Sequence, residues 1–505
     1  MGTRTARSRR AGRSTPSILT GIGERIPLIT LSVLLVTVFL IGGGARDDIT
    51  SLIVLRPIAV LCLGIGLATF RREHWDAFKF PLGFMAAILI MILLHLIPLP
   101  PALWQALPGR ELAVAAGEAA GGVQPWRPLS LVPYRGWNAF YAMLVPAAAM
   151  VLAVQLKRDD HRMLLYIVIG AAIASALWGI LQAISGYSRA FYFYSVSNNG
   201  APTGLFANRN HMAALQVCVL PILALIASRT KGRRMRLVQT ACAALALLAI
   251  LVTGATGSRA GLGLILVALA GGWLIWRARP SLPTAKRPQR GERFNWAPYA
   301  LGGFGVIMLG GFALLLTQSQ SFERISGSGG VEEYRFLVWR TMIDFMPQYL
   351  PFGSGVGSFV EIFQVHEPSE MLGTNYWNHA HNDWLEWALE GGIPAIALMV
   401  VAILAFVRGA LSLVSQSHTG QLEVQMGLTG AVVLFVLGVW SGVDYPLRAP
   451  ALACLAALAS VWMALASGRR SAGSRMGQGA EQSGFTTSGG TFETRPMGTQ
   501  KRDRS

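Results

Sequence analysis

The chain has 505 residues, of which 53% are hydrophobic and only 13% charged, and its formal net charge is +18. Soluble domains carry about 25% charged residues, so this composition excludes a chain built of ordinary soluble domains. The basic residues form short clusters between apolar stretches. They do not form a single basic face with interleaved aromatic residues. The positive charge therefore does not indicate nucleic-acid binding.

Twelve stretches of the sequence are apolar over roughly the 20 residues that a bilayer-spanning helix needs. They lie near residues 27–43, 50–69, 81–99, 137–155, 162–184, 209–227, 236–254, 259–276, 297–317, 391–408, 425–443 and 449–467. The sequence therefore predicts an all-α integral membrane protein with about 12 transmembrane helices. Its predicted parts are a basic N-terminal segment (1–26), a membrane domain (27–467) and a disordered tail (468–505).

The charge of the connecting loops predicts the orientation of these helices. If the spans alternate from a cytoplasmic N-terminus, every lysine and the main arginine clusters fall on the cytoplasmic side, as the positive-inside rule requires. Both termini are therefore predicted to be cytoplasmic. The first apolar stretch lacks a small-residue cleavage site and is predicted to be a retained helix. The four cysteines lie in apolar stretches without metal-ligand spacing, so no disulfide framework is expected.

The longest outward loop covers residues 318–390, between predicted helices 9 and 10. A loop of this length without low-complexity sequence usually has a function. Its sequence predicts a helix over residues 331–346, then a turn region rich in Pro and Gly, then a second helix from about Asn382. We therefore expect this loop to supply residues that carry the protein's chemical function.

Two arginines lie where outward loops meet helices. Arg209 lies in Phe206-Ala-Asn-Arg-Asn-His211, and Arg259 lies in Gly257-Ser-Arg-Ala-Gly261. Arginine is costly near lipid and binds phosphate oxygens through a planar fork, so both indicate an anionic headgroup or a diphosphate. Snorkelling to ordinary lipid phosphates, or a structural ion pair, is the alternative for each.

The first predicted loop helix carries Arg335, Trp339 and Arg340. Residues five apart point roughly 140° apart on a helix, so the two arginines are not expected to face one site. Arg335 shares a face with Trp339, four residues later. We therefore expect one of the two arginines on a solvated surface.

Three glycines, Gly353, Gly355 and Gly357, occupy the turn region. A phosphate-binding nest is one interpretation, and a tight turn that returns the loop to the membrane is the simpler one. The spacing is not a dinucleotide fingerprint, because no βαβ unit surrounds it.

The segment Asn378-His-Ala-His-Asn-Asp383 leads into the second loop helix. Asn382 or Asp383 can cap that helix, which places His381 at a helix N-terminus. There the helix dipole disfavours an imidazolium ion, so His381 is a candidate general base. A metal site that includes His379 and Asp383, or a purely structural role, are the alternatives.

Taken in order, five motifs resemble the bacterial O-antigen ligase and Wzy-type polymerase superfamily. They are Gly204-Leu-Phe-Ala-Asn-Arg-Asn-His-Met-Ala213, Thr256-Gly-Ser-Arg-Ala-Gly261, Arg335-x-x-x-Trp339, Pro351-Phe-Gly-Ser-Gly-Val-Gly357, and His381-Asn382 followed by Glu390-Gly-Gly-Ile-Pro394. The resemblance covers roughly residues 200–400. Gly392 matches a glycine of the ligase signature, whereas Ala395 replaces the second one.

This resemblance implies an inner-membrane glycosyltransferase with its active site on the periplasmic face. Such enzymes take a glycan from undecaprenyl diphosphate and pass it to lipid A-core, to a glycan chain or to a protein. His381 then corresponds to the loop histidine of the family, Arg209 and Arg335 to donor-binding arginines, and Arg259 to a further candidate. The supporting candidates are Asn382, Trp339 and Arg340. No cofactor or metal is implied.

The residues and the resemblance together predict an inverting transfer, in which arginines bind the diphosphate and His381 takes the acceptor proton. The site is expected where the loop folds onto the outward helix ends. A flippase or other transporter is one rival and predicts charged residues within the spans. Most spans lack them, with Arg56 and His95 as exceptions. A non-catalytic scaffold, the second rival, has no need of these outward residues.

Overall fold

The computed structural model describes residues 25–280, 330–373 and 376–483, with side chains from residue 334 in the second range and to residue 466 in the third. Within these ranges the protein is helical apart from one short antiparallel strand pair. The α-helices are α1 (Ile26–Ile41), α2 (Leu52–Ala68), α3 (Arg72–Ala77), α4 (Lys79–Leu94), α5 (Pro101–Trp104), α6 (Glu111–Ala119), α7 (Pro133–Ala153), α8 (His161–Ile184), α9 (Arg209–Arg229), α10 (Met235–Ala255), α11 (Arg259–Arg277), α12 (Gly330–Phe345), α13 (Phe359–His366), α14 (Asp383–Ser415), α15 (Leu422–Trp440) and α16 (Pro450–Ser483). The strands are β1 (Pro98–Leu99) and β2 (Arg127–Pro128).

The apolar helices agree with the predicted spans. Among the described residues, 7 helices are long and apolar enough to cross a membrane, and four shorter apolar helices accompany them. Together they coincide with eleven of the twelve predicted spans. The ninth, near 297–317, lies outside the described residues, as do the N-terminal segment 1–24 and the tail beyond 483. The all-α membrane class is confirmed, whereas the full helix count and the sidedness stay predictions.

Helix α9 lies at the centre of the bundle, where it packs against α8, α10, α11 and α15. Its sequence is apolar around the whole circumference, so no face of the helix is suited to water. In its most apolar stretch 89% of the residues are buried inside the protein. This packing fixes the start of α9, and therefore the position of Arg209, its first residue.

One end of the bundle collects the starts of α7, α9, α11 and α14, and we call it the loop face. Backbone hydrogen bonds join the connections there: the Ala207 N–H donates to Gly43 O at 3.2 Å, and the Ala451 N–H donates to Gly42 O at 3.1 Å. The residues of the long loop that the structure describes fold onto this same end, where the Leu131 N–H donates to Ser354 O at 2.9 Å.

The glycine-rich turn of the long loop docks against a kink in α14. The kink lies at Gly392, where φ is 58° and ψ is −148°. The Ile393 N–H donates to Pro351 O at 2.8 Å, and the Gly355 N–H donates to Glu390 O at 2.8 Å. Because the N–H of Gly355 is bonded to α14, it does not serve a phosphate nest. The tight-turn interpretation of this segment is therefore the better one.

We expect Gly392→Ala to lower the melting temperature of the detergent-solubilised protein by several degrees. A Cβ atom here would lie 2.3 Å from Pro351 O, and the positive φ would strain any L side chain. Gly64→Ala in α2 is the matched control, because its added Cβ meets nothing within 4 Å. An unchanged melting temperature for Gly392→Ala would contradict the role given to this kink.

Candidate active site at the loop face

His381 lies directly before the cap of α14, half-buried between two aromatic rings. Its ring centroid is 5.6 Å from that of Trp377 and 4.9 Å from that of Tyr445. Its backbone is left-handed, with φ at 53°. For a residue with a side chain this conformation costs about 1–3 kcal/mol, and such strain is concentrated at functional sites.

The hydrogen bonding of His381 selects one tautomer. Its Nδ1 lies 3.0 Å from the His379 carbonyl oxygen, which can only accept, so Nδ1–H is the donor and Nε2 carries no proton. Burial lowers the pKa of His381 to about 4, Asp444 opposes that effect, and the charge of Arg335 adds to it. His381 is therefore neutral at neutral pH. The sequence predicts this neutrality from the helix dipole, and burial in the structure lowers the pKa of His381 as well.

The loop that carries His381 is held on both sides of Ala380. The Ala380 N–H donates to Glu386 Oε2 at 2.8 Å, and Ala380 O accepts from Trp339 Nε1 at 2.8 Å. Asn382 caps α14, because its side chain accepts from the Leu385 N–H at 3.1 Å. Trp339 and Asn382, two of the three predicted supporting residues, thus both contact the segment that positions His381.

The connection between α15 and α16, residues 441–449, joins this loop to α9. Tyr445 is buried there, and its ring centroid lies 4.4 Å from that of His379 and 5.2 Å from that of His211. Asp444 accepts a hydrogen bond from Asn210 Nδ2, at the start of α9. Burial would raise the pKa of Asp444, but its attraction to the protonated forms of His381 and His211 and to Arg335 outweighs that effect and lowers the pKa.

Arg335 and Arg340 lie in different surroundings, as their spacing predicts. Arg335 is half-buried, and its Nη1 donates to Val443 O at 3.3 Å, beside Asp444. Its Nε is buried and has no hydrogen-bond partner among the described residues. Arg340 is exposed on the other side of α12. The geometry therefore joins Arg335 to the His381 region and leaves Arg340 on the surface.

Arg209 and Arg259 are the first residues of α9 and α11, and the two helix starts are adjacent. Arg209 Nη1 donates to Thr256 O at 3.3 Å, three residues before Arg259. Asn208 caps α9, and Ser258 caps α11. Helix N-termini attract anions, because their free N–H groups and the macrodipole present positive charge. These two starts therefore form one cationic surface on the loop face.

A comparison with known protein families matches part of the chain. Residues 241–400 match the family model described as O-antigen ligase. This match over part of the chain supports membership of the O-antigen ligase and Wzy superfamily. No curated protein sequence matches it.

The O-antigen ligase match contains six of the seven predicted site residues and omits Arg209. Arg259, Arg335 and His381 lie within residues 241–400, whereas Arg209 and the 441–449 connection lie outside that match. The structure nevertheless joins them, since Asn210 of α9 and Arg335 of α12 both bond to residues 443–444. The matched region, residues 241–400, therefore contains only part of the candidate site.

Arg448 and its carboxylate partners are the part of the site that sequence reasoning missed. Its Nη2 lies 3.1 Å from Glu386 Oε1 and 3.4 Å from Glu390 Oε2, and its Nε lies 3.3 Å from Asp383 Oδ1. The available signal was an arginine with Asp444 and Tyr445 in a short connection between apolar helices. In the described ranges, no group of three or more His, Cys, Asp or Glu side chains is arranged so that it could hold a metal ion.

Proposed function

We propose that this protein is a glycosyltransferase of the bacterial inner membrane that works at the periplasmic face. It moves a glycan from undecaprenyl diphosphate to an acceptor hydroxyl, as an O-antigen ligase or a polymerase of surface polysaccharide. One observation carries the proposal: His381 presents an unprotonated Nε2 in a strained loop beside Arg335. Coarser support comes from membership of the superfamily and from the apolar helices.

The arginines supply the donor side of the reaction. Arg209, Arg259 and Arg335 bind the diphosphate and stabilise the negative charge that grows on it as the glycosidic bond breaks. The half-buried position of Arg335, with Nε unpartnered in the described protein, leaves donor capacity for a phosphate oxygen. Diphosphate is a good leaving group, so a protonating acid is not required.

His381 supplies the acceptor side. Its Nε2 takes the proton of the acceptor hydroxyl while the hydroxyl oxygen attacks the anomeric carbon. The bond between that carbon and the diphosphate oxygen breaks, and the electron pair leaves with the lipid diphosphate. A single displacement of this kind inverts the anomeric configuration.

Arg56 and His95, the two residues that favoured a transporter, both lie near the end of a helix. Arg56 lies near the loop-face end of α2, where its Nη2 donates to Asn138 Oδ1. His95 follows the last residue of α4, and its carbonyl accepts from the Ser130 N–H at 2.8 Å. Neither residue lies midway along its described helix, as a transport path would require.

Proteoliposomes that contain a lipid-diphosphate-linked glycan distinguish the two functions. We expect the glycan to be transferred or lengthened, with release of undecaprenyl diphosphate detected by mass spectrometry. Glycan that reaches the other leaflet unchanged, without released lipid diphosphate, would identify a transporter and overturn the proposal.

The pKa of His381 predicts the pH dependence of transfer. The base must be neutral, and its pKa lies near 4 instead of 6.5. We expect kcat/KM to be level between about pH 5 and 7 and to fall about tenfold per pH unit below about pH 4. Initial rates measured at low donor concentration across this range test the prediction. An acid limb centred near 6.5 would contradict the buried, neutral state described for His381.

A further inference from the structure

Arg448 lies among three carboxylates at the start of α14. Its side chain is 17% exposed, whereas those of Glu386 and Glu390 are each 1% exposed. Because Arg448 faces Asp383, Glu386 and Glu390 together, its charge is already balanced within the protein. Arg209, Arg259 and Arg335, which we assign to the donor diphosphate, lie elsewhere on the loop face.

The three carboxylates share one face of α14, because their spacings of three and four residues match a helical turn. Like charges at such spacing repel, and an unpaired buried carboxylate is strongly unfavourable. The helix N-terminus favours Asp383 and Glu386, which lie in the first turn, but not Glu390. Arg448 is therefore the cation that allows all three to be buried side by side.

Glu386 connects Arg448 to the loop that carries His381. Its Oε1 lies 3.1 Å from Arg448 Nη2 and 2.9 Å from His379 Nδ1. Its Oε2 accepts from the Ala380 N–H at 2.8 Å. Ala380 directly precedes His381, whose left-handed backbone depends on these contacts. A Glu386 side chain that moved or became protonated would release the loop at its strained residue.

Building on the proposed function, we propose that Arg448 is a positioning residue for His381, acting through Glu386 and the Ala380 N–H. It contacts neither substrate nor the reacting atoms. Replacing Arg448 should therefore lower kcat and leave the donor KM nearly unchanged, since the arginines that bind the donor are elsewhere. The loss of kcat should also depend on how many carboxylates are left without a positive partner. A residue needed only for packing would not show this dependence.

The test compares Arg448→Met with Arg448→Met/Glu390→Gln in the glycan-transfer assay. We expect Arg448→Met to lower kcat at least about tenfold while the donor KM stays within about threefold. Glu390→Gln removes one unbalanced carboxylate but keeps an oxygen for the Phe359 N–H, a contact of 3.2 Å. The double variant should therefore recover at least about threefold of the lost kcat.

Three results would overturn the inference: a smaller loss of kcat, a parallel rise in donor KM, or no recovery in the double variant. Arg158→Met, which breaks an ion pair with Glu423 at the opposite end of the bundle, is the matched control and should retain kcat. If Arg448→Met does not fold, Arg448→Lys decides, because one ammonium group cannot reach three carboxylates as the guanidinium fork does. We expect its kcat to fall at least about threefold, and a wild-type kcat would overturn the inference.

The wild type and His381→Ala, assayed in parallel, separate the two proposals. A wild type that transfers no glycan would refute the proposed function itself. A wild type that transfers glycan through His381 while Arg448→Met matches it would refute only the role of Arg448.

Discussion

Replacing His381 by alanine is expected to lower kcat for glycan transfer by about 10²–10⁴-fold, the range lost when a general base is removed. The imidazole is half-buried, and its neutral Nε2 is the basic atom that the loop presents. Alanine also lacks the ring that contacts Trp377 and Tyr445. Gel filtration in detergent and the melting temperature should show that the variant still folds.

His418→Ala is the matched control for the loss of a histidine. His418 is exposed in the connection between α14 and α15, at the opposite end of the bundle from the loop face. We expect its kcat to equal that of the wild type. If His381→Ala folds and still transfers glycan, His381 is not the general base.

Arg335→Ala is expected to lower kcat/KM for the lipid-diphosphate donor by about 10²–10³-fold, as when one donor to a developing negative charge is removed. Arg335 is half-buried beside Asp444, and its Nη1 donates to Val443 O. A second effect acts on the base, because the charge of Arg335 contributes to the low pKa of His381. The acid limb of the pH profile should therefore move to higher pH in this variant.

Arg340→Ala provides the comparison within the same helix. It removes the same charge five residues later, where the side chain is exposed. We expect a change of at most about threefold in kcat/KM, since exposed surface charges contribute little. Equal losses in Arg335→Ala and Arg340→Ala would indicate a diffuse electrostatic effect and contradict a specific role for Arg335.

Features encoded locally were predictable from the sequence. The spans follow from runs of apolar residues long enough for a bilayer, and the described helices begin and end near the expected positions. The cap at Asn382 follows from the preference for a short polar side chain before a helix. The separation of Arg335 from Arg340 follows from helical periodicity alone.

Features that depend on distant partners were not predictable. The glycine-rich turn allows a phosphate-binding nest as well as the simpler tight turn, until Gly355 is seen bonded to Glu390 O, 35 residues away. Arg448 has no local signature either, because its partners Asp383, Glu386 and Glu390 lie on another helix. The low pKa of His381 depends on burial, which the helix-dipole argument did not include.

The stereochemistry of the product tests the central claim most directly. In the proposed reaction, one neutral histidine activates the acceptor for direct attack on a diphosphate-linked anomeric carbon. Nuclear magnetic resonance of the new glycosidic linkage, made by the purified protein from a donor of known configuration, should show inversion. A retained configuration would require a glycosyl-enzyme intermediate and would contradict the role proposed for His381.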